Sequence, residues 1–219
     1  MTLKKETRHC KICFEKFSVN TYTKLEICDQ ILCKKCLKKF KPRFIHYKID
    51  DVKALAIYNY DDTMRQLIYQ FKGCDDYELY PVFLGMYKTA LRLLYHSYYL
   101  VPIPSSSEDD KRREYNHVKE MFGVLGLPIL DILYKVDNFK QSDHTANGRK
   151  HIIEHMKVRK DIDISNKKIL IVDDISTTGN TLKAAIKLLK ELHPKKIRIL
   201  TLCKRELTEN DQNDKLYRI

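Results

Sequence analysis

Apolar residues recur at helical spacing in several parts of the chain. The spacing i, i+3, i+4, i+7 runs from Met64 to Phe71, which predicts an amphipathic helix. Asp61 or Asp62 can start this helix, and Gly73 can end it. Other helices are predicted over residues 81–96, near 115–125 and over about 180–192, the last with an apolar side formed by Leu182, Ala185, Ile186 and Leu189.

Continuous apolar runs alternate with these helices. Such runs are typical of strands in a parallel sheet that is covered on both faces. The predicted strands are ALAIYNY (54–60), YYLVPIP (98–104), a segment near 129–136, KKILIVDD (167–174) and KIRILTLC (196–203). The last two flank the final helix and form a βαβ unit with it, so the main domain is predicted to be α/β.

Two segments lack this patterning. The polar stretch at 105–117 is predicted to be a loop, and residues 137–160 are predicted to be a loop with some helix. No apolar run approaches the roughly 20 residues that a membrane-spanning helix needs. The amino terminus, MTLKKETRHC, has no apolar stretch behind its basic residues, so it does not resemble a secretory signal. A cytoplasmic location is therefore expected.

Positive charge is concentrated at the amino terminus. Lys and Arg exceed Asp and Glu by 41 to 29, a net charge of +12, and residues 1–44 contribute +8 of it from twelve basic and four acidic residues. A surface of this kind attracts polyanions, because each neutralised phosphate releases counterions. Solvation in a lysine-rich proteome is the alternative, but the concentration of charge in one segment favours a polyanion partner.

Five of the seven cysteines fall within 27 residues of the same segment. Cys10 and Cys13 form one C-x-x-C pair, Cys33 and Cys36 form another, and nineteen residues separate the pairs. This is the spacing of a structural tetrahedral zinc site. The alternatives are free thiols in a small core and a redox C-x-x-C, the latter disfavoured because two such motifs share one basic segment. Spare ligand candidates are Cys28 and His9.

The residues after the strand at 167–174 carry the main candidate chemistry. The strand delivers two carboxylates to the carboxyl edge of the sheet, where α/β proteins bind ligands. A turn of small hydroxyl residues then leads into a helix amino terminus, which attracts anions. This combination suits a ligand with phosphate and sugar hydroxyls, and the carboxylates can help to hold a hydrated Mg²⁺. The candidates are Asp173, Asp174, Ser176, Thr177, Thr178, Gly179 and Thr181.

Other phosphate sites fit this turn less well. A P-loop NTPase requires G-x-x-x-x-G-K-[ST], and none of the six glycines begins one. A dinucleotide site requires G-x-G-x-x-G, which is also missing. An ordinary capped turn stays open as the structural alternative, although four apolar residues, two acids, a Ser/Thr triplet and a glycine seldom coincide by chance.

The run ILIVDDISTTGNTL (169–182) resembles, nearly throughout, the signature with which type I phosphoribosyltransferases bind phosphoribosyl pyrophosphate (PRPP). The resemblance implies a type I phosphoribosyltransferase fold, a parallel sheet flanked by helices, that binds PRPP with Mg²⁺. It also implies that Asp173 and Asp174 face the ribose hydroxyls and that Thr177 to Thr181 hold the 5′-phosphate.

With its amino-terminal cysteines, the chain resembles the ComF family. VPIPSSSEDDKRREYNH (101–117) is similar to a family loop in which Val-Pro-Val-Pro is followed by Arg-Gly-Phe-Asn-Gln, with Arg113, Tyr115 and Asn116 at the Arg, Phe and Asn. In phosphoribosyltransferases the corresponding loop handles pyrophosphate. The resemblance therefore makes Arg112, Arg113 and Asn116 candidates for that role.

A later segment and several departures complete the resemblance. KQSDHTANGRK (140–150) is similar to a family segment with a Gln and an Arg, here Gln141 and Arg149. Glu114 stands where the family has Gly, and His117 where it has Gln. These changes bear on transferase turnover more than on PRPP binding. An acidic run, Glu108 to Asp110, also lies in the pyrophosphate loop, where Lys111 and the arginines can offset it, and a solvated loop is the alternative.

The family resemblance implies a role in natural transformation, in which incoming single-stranded DNA is handled in the cytoplasm with a ComFA-like helicase. The predicted organisation is a basic four-cysteine zinc-binding segment at 1–44 and a phosphoribosyltransferase-like α/β domain at 45–219. An active phosphoribosyltransferase with an unidentified small acceptor is the alternative, and a zinc docking module that touches no DNA is a third. The aromatic candidates for base stacking, which are equally suited to a small core, are Phe14, Phe17, Tyr22 and Phe40.

Overall fold

A computed structural model of the chain describes residues 6–19, 31–105, 110, 112–136 and 156–205. The strands are β1 (Glu6–His9), β2 (Lys16–Val19), β3 (Pro42–Ile49), β4 (Val52–Asn59), β5 (Tyr98–Pro102), β6 (Leu133–Lys135), β7 (Met156–Val158), β8 (Lys168–Ser176) and β9 (Lys196–Lys204). The helices are α1 (Lys34–Leu37), α2 (Asp62–Gly73), α3 (Tyr80–Leu84), α4 (Lys88–Leu94), α5 (His117–Gly123) and α6 (Asn180–Lys190).

The central sheet has five strands in the order β3-β4-β9-β8-β5. β4, β9, β8 and β5 are parallel, and β3 pairs antiparallel with β4 at one edge. The predicted parallel α/β sheet is therefore confirmed, with one antiparallel edge strand added. The four parallel strands all end at the same edge of the sheet, which is where the candidate carboxylates of β8 lie.

Apolar side chains cover both faces of this sheet, which explains why the parallel strands are continuous apolar runs. On one face, Leu170 and Leu200 pack with residues of α2, α3 and α5. On the other face, Ile169 and Ile199 pack with residues of α6. Because successive residues of a strand point to opposite faces, β8 and β9 contribute to both cores.

The predicted helices that correspond to α2 and α6 are confirmed. The side chain of Asp61 accepts a hydrogen bond from the backbone N–H of Met64 at 2.9 Å and so caps α2. Its buried residues are the apolar face read from the sequence: Met64, Leu67, Ile68 and Phe71. The same holds for α6, whose buried residues include Leu182, Ala185, Ile186 and Leu189.

Three predicted elements differ in detail. The helix predicted at 81–96 is two short helices, α3 and α4, separated by a 3-10 turn at Gly85–Tyr87. The strand predicted near 129–136 is limited to β6 and one isolated bridge between Leu100 and Ile129. Within the segment predicted to be loop, β7 pairs with β6. Residues 137–155 lie outside the described part of the chain.

The cysteine segment packs against the α/β core. Cys10, Cys33 and Cys36 belong to the same buried cluster as Ile57 of β4 and Phe71 of α2. An ion pair between Lys11 and Glu78 joins the two parts at the surface. Strand β3, which the apolar pattern did not predict, begins at Pro42 and crosses the proposed boundary at residue 44. Among the described residues, no helix is long and apolar enough to cross a membrane.

Candidate functional site

The turn between β8 and α6 has a backbone shape that depends on one glycine. Gly179 precedes α6 with φ +76°, in the left-handed region that other residues rarely adopt. A Cβ at this position would also lie 3.0 Å from Cδ1 of Ile49, the last residue of β3. Any side chain at position 179 would therefore strain the backbone of this turn and press on Ile49.

A cavity of about 280 Å³ opens beside this turn at the carboxyl edge of the sheet. It brings the turn together with the loop after β5 and with the end of α2. Of the seven residues predicted to bind phosphate and ribose, Asp173, Asp174 and Thr181 line the cavity. The other polar and charged residues of the lining are Lys72, Ser105, Arg113, His117 and Lys135.

The remaining candidates of the turn do not line this cavity. Thr177 and Thr178 are exposed on the turn, and Gly179 is buried against Ile49. Ser176 is only 2% exposed, and its hydroxyl has no hydrogen-bond partner in the described part of the chain. The exposed threonines are therefore the members of this group that a ligand reaches most directly from solvent.

Asp174 is held by two basic side chains. Its Oδ2 atom lies 2.6 Å from Nζ of Lys72 and 3.2 Å from Nε2 of His117, which must donate because a carboxylate oxygen accepts. The backbone N–H of Ile175 donates to Oδ1 at 2.7 Å. Burial alone would raise the pKa of Asp174, but the hydrogen bond from His117 and the charge of Lys72 outweigh it and hold the pKa well below the ordinary value.

Asp173 has the opposite electrostatic character. Its Oδ1 accepts the backbone N–H of Asp174 at 2.9 Å. Burial, together with repulsion from the Asp174 carboxylate, raises the pKa of Asp173 well above the ordinary value. The pKa values of the two adjacent carboxyl groups are thus shifted in opposite directions. Asp174 stays an anion, whereas Asp173 can donate a hydrogen bond to a sugar hydroxyl or accept one from it.

The loop after β5 is tied to the carboxyl end of α2. The carbonyl oxygen of Lys72 accepts hydrogen bonds from Nε of Arg113 at 2.8 Å and from Nη2 of Arg112 at 3.3 Å. The hydroxyl of Tyr115 donates to the carbonyl of Phe71 at 2.6 Å. Because the last carbonyls of a helix lack partners within it and carry partial negative charge, they suit these donors.

The predicted pyrophosphate residues therefore have different positions. Arg113 lines the cavity, whereas Arg112 forms an ion pair with Asp75 at 2.8 Å and does not line it. The side chain of Asn116 caps α5 through the backbone N–H of Lys119, and its Nδ2 donates to Ser105 and Asp110. Several earlier candidates lie outside the described residues: Glu108, Asp109, Lys111, Gln141 and Arg149.

Glu114 has φ +63° and thus keeps the backbone conformation for which the family's glycine is suited. Holding a non-glycine residue there costs on the order of 1–3 kcal/mol. The loop therefore keeps its bend despite the substitution, with the bonds of the neighbouring Arg113 and Tyr115 to α2 holding it in place.

Four polar or charged residues of the lining were not predicted as ligand-binding residues: Lys72, Ser105, His117 and Lys135. Lys72 lies in the last turn of α2, 102 positions before its partner Asp174. His117 was noted only because it differs from the family residue. His117 is only 4% exposed and begins an amphipathic helix whose other buried residues are apolar. The sequence pattern alone does not show that a histidine at this position is buried.

The four predicted metal ligands come together. The Sγ atoms of Cys10, Cys13, Cys33 and Cys36 all lie within 4.8 Å of one another, a cluster that could hold a metal ion. Burial raises the pKa of Cys36. Burial has the same tendency at Cys10, but backbone hydrogen bonds, led by that of Cys13, outweigh it and lower the pKa to about 7. The spare candidate Cys28 lies outside the described residues, and His9 is exposed and not part of this cluster.

A second cavity of about 340 Å³ adjoins the first and shares Pro104, Ser105 and Lys135 with it. Tyr134, which is 38% exposed, and Arg159 line it, with the guanidinium of Arg159 5.9 Å from the centre of the tyrosine ring. This cavity therefore offers an aromatic surface next to the phosphate-sized cavity.

Comparison with known proteins adds independent support. The phosphoribosyl transferase domain family matches residues 118–219. Competence protein ComFC of Streptococcus pneumoniae is 30% identical over 151 residues, which are 69% of this chain and 68% of ComFC. Bifunctional protein PyrR of Caldicellulosiruptor bescii is 37% identical over 110 residues, which are 48% of this chain and 56% of that protein. The chain thus spans only about half of PyrR.

Among solved structures, a hypoxanthine phosphoribosyltransferase from Staphylococcus aureus is 17% identical and matches 58% of this chain and 64% of its own. Its TM-score of 0.36 is too low to support a conclusion. The domain match, the parallel sheet with its site at the carboxyl edge and the extent of the ComFC match agree with one another. The chain therefore belongs to the ComF family, as a relative of ComFC with a type I phosphoribosyltransferase domain and an amino-terminal four-cysteine cluster.

Proposed function

We propose that this protein is an accessory protein of DNA uptake in natural transformation, which binds PRPP and handles incoming single-stranded DNA in the cytoplasm with a ComFA-like helicase. The observation that carries the proposal is the cavity at the carboxyl edge of the sheet, in which Asp173 and Asp174 face three cationic side chains. Family membership supplies the link to competence, since competence is what the ComFC relative is named for.

The charge of the cavity supports a phosphorylated sugar as the ligand. Lys72, Arg113 and Lys135 place three positive charges in its lining, against the two carboxyl groups. Thr181 adds a hydroxyl at the first turn of α6, whose amino terminus attracts anions. Carboxylates for ribose hydroxyls, next to cations for phosphates, are the complement of a phosphoribosyl compound. Mg²⁺ is the ion expected to accompany PRPP in phosphoribosyltransferases.

The surface of the cysteine segment supports the handling of DNA. Six basic side chains between residues 34 and 43 are exposed, and in the described part of the chain none of them lies within 4 Å of a carboxylate oxygen. They are Lys34, Lys35, Lys38, Lys39, Lys41 and Arg43. Cations that are not neutralised within the protein are available for phosphates of a single strand.

The aromatic residues of this segment divide into two groups. Phe40 is 6% exposed and Phe17 packs partly buried against the core, which supports the core interpretation for both. Phe14 is 70% exposed and Phe44, which the sequence reasoning did not single out, is 41% exposed. Tyr22 lies outside the described residues. Phe14 and Phe44 are therefore the proposed stacking surfaces for bases.

The cysteine cluster is proposed to hold zinc in a structural role. Four thiolates are the ligand set of closed tetrahedral zinc sites, which keep no open position for a substrate. With three of the four cysteines buried in the core cluster, the metal would stabilise the segment that carries the basic surface.

The PRPP site is tested by calorimetry with Mg–PRPP and the full chain. Asp173→Asn combined with Asp174→Asn should reduce the affinity at least about a hundredfold, because one acceptor for the ribose hydroxyls and the anchor of the cations are both lost. Asp161→Asn, at an exposed carboxylate outside the cavity, is the matched control and should bind as the unaltered chain does. Unchanged affinity in the double variant would refute the site.

DNA handling is tested by fluorescence anisotropy of a labelled single-stranded oligonucleotide at several salt concentrations. If all six exposed cations contact phosphates, the logarithm of the binding constant should fall with the logarithm of salt concentration with a slope of about −4. Lys38→Ala with Lys39→Ala should reduce that slope by roughly 1 to 2. Lys187→Ala with Lys195→Ala, two exposed lysines of the α/β domain, is the control. Absence of binding at low salt would contradict direct DNA handling.

An active phosphoribosyltransferase is the second candidate, and the cavity lined by Tyr134 and Arg159 favours it. A planar acceptor could stack on the exposed tyrosine next to the phosphoribosyl site. The arginines of the loop after β5, however, already donate hydrogen bonds to α2. Release of pyrophosphate from PRPP that depends on an added acceptor would establish this candidate and exclude a purely accessory role.

A further inference from the structure

The second carboxylate of β8 already has a cation on it. Nζ of Lys72 is 2.6 Å from Oδ2 of Asp174, and His117 shares the same oxygen. The other oxygen of Asp174 and one oxygen of Asp173 accept backbone N–H groups. Among the described residues, the remaining oxygen of Asp173 is the one carboxylate oxygen of the pair without a hydrogen-bond donor.

The donors on Asp174 conflict with a divalent metal at that carboxylate. Mg²⁺ requires nearly octahedral oxygen ligands at short distance, and it would have to share the Asp174 oxygen with an ammonium group. Two cations on one oxygen repel each other, and water screens this repulsion weakly because the Asp174 side chain is only 10% exposed. The residues present therefore do not fit Mg²⁺ at Asp174 as the chain is folded.

Lys72 is also held in place by its own backbone. Its carbonyl oxygen binds Arg113, and the preceding carbonyl of Phe71 binds Tyr115, so the last turn of α2 is attached to the loop after β5. The Lys72 side chain is only 30% exposed. The position of Lys72 beside Asp174 is therefore fixed by the fold, unlike that of a mobile surface lysine that reaches a carboxylate by chance.

We propose that Lys72 occupies the place of the divalent cation at Asp174, so that this cavity binds the phosphoribosyl polyanion without Mg²⁺. This inference rests on the proposed PRPP site and changes its cofactor requirement. The ammonium neutralises Asp174, so that the positive charges of Arg113 and Lys135 in the lining are left for the phosphates. The metal-dependent charge neutralisation expected in phosphoribosyltransferases is then supplied by the chain itself.

The experiment measures PRPP affinity of the full, metal-loaded chain by calorimetry, once with Mg²⁺ and once in nominally Mg²⁺-free buffer treated with a cation-exchange resin. The unaltered chain should bind PRPP with affinities that agree within about threefold. Lys72→Met should lose about tenfold or more without Mg²⁺, since a charge-assisted contact is removed. Mg²⁺ should restore much of that loss, because Asp174 is then free to bind it.

Lys187→Met, at an exposed lysine of α6 outside the cavity, is the control and should behave as the unaltered chain. If the unaltered chain binds PRPP only with Mg²⁺, Lys72 does not replace the metal, and the inference is overturned while the PRPP site stands. If it binds PRPP under neither condition, the PRPP site is wrong and the inference with it. The two-buffer comparison needs no variant, so it decides even if Lys72→Met does not fold.

Discussion

The cysteine cluster and the carboxyl pair both gather acidic side chains, but they stabilise the negative charge differently. At Cys10, backbone hydrogen bonds lower the pKa against the effect of burial. At Asp174, a hydrogen bond from His117 and a full positive charge from Lys72 do so. The cysteine cluster could therefore be completed by a metal ion from solution. The Asp174 carboxylate is instead neutralised by a lysine of the chain itself.

Loss of a cysteine ligand should have the largest effect. Cys33→Ser should abolish stoichiometric zinc binding and unfold the cysteine segment, because metal binding to such sites contributes on the order of 10 kcal/mol to folding. Metal analysis and hydrogen exchange over residues 6–19 and 31–40 would measure this. Cys74→Ser, at an exposed cysteine outside the cluster, should retain the metal. Full zinc occupancy in Cys33→Ser would show that the four thiols are not the ligand set.

Acidification should separate the two sites. Protons compete with the metal for all four thiolates, and the ordinary pKa of a thiol, about 8.5, lies far above that of a carboxylate, so zinc should leave before Asp174 is protonated. The folded-state pKa of Asp174 is lowered from 3.8, so its stabilising contribution is present above that value and is lost only as the pH falls through the lowered pKa. A zinc-sensitive dye and near-ultraviolet circular dichroism should therefore show metal release before the α/β domain melts. Simultaneous transitions would contradict this separation.

Removing the internal cation should have an intermediate effect on stability. Lys72→Met leaves a buried carboxylate with one basic partner, and we expect a loss of about 1–2 kcal/mol, below the full cost of a broken buried pair because Lys72 is partly exposed. Asp174→Asn should reduce the free energy of unfolding less in the Lys72→Met variant than in the unaltered chain. Urea unfolding of all four proteins gives the coupling energy. Strictly additive effects would show that the pair is not coupled.

The smallest effect on stability is expected at a surface ion pair that is nearly as short as the one between Lys72 and Asp174. Lys190 and Asp51 are 2.7 Å apart, but their side chains are 50% and 71% exposed. Lys190→Met should leave the free energy of unfolding almost unchanged, because solvent screens the pair. Its hydrogen bond is the chief cause that lowers the pKa of Asp51, which should return toward the ordinary value in an NMR titration. A loss as large as that of Lys72→Met would mean that burial is not what distinguishes the pairs.

Elements encoded within a short stretch of sequence were predicted correctly. The caps and apolar faces of α2 and α6, the βαβ unit and the grouping of four cysteines depend on residues a few positions apart or on well-known spacing. Residues 81–96 have apolar residues at helical spacing throughout, but a 3-10 turn at Gly85–Tyr87 interrupts the helix. Strand β3 was missed because most of its side chains are exposed or half-buried at the sheet edge, which weakens the apolar signal.

The candidate site was predictable on one side only. The conformation of the turn after β8 depends on residues within the turn itself, so Asp173, Asp174 and Gly179 could be selected as candidates from the motif. The contribution of Lys72 depends on how α2 packs across the end of the sheet, and no local pattern encodes a contact over 102 positions. The roles of Arg112 and Arg113 were likewise not predictable, since their hydrogen bonds to α2 arise from tertiary structure.

The contact between Gly179 and Ile49 has an evolutionary consequence. The Cβ that any other residue would bring to position 179 meets the terminal methyl of Ile49 at 3.0 Å. Ile49 is the last residue of the edge strand that follows the cysteine segment, so that strand and the turn after β8 constrain each other's substitutions. Homologues with a larger residue at position 49 should therefore carry compensating changes around residue 179, and the two positions should covary although they lie 130 residues apart in the sequence.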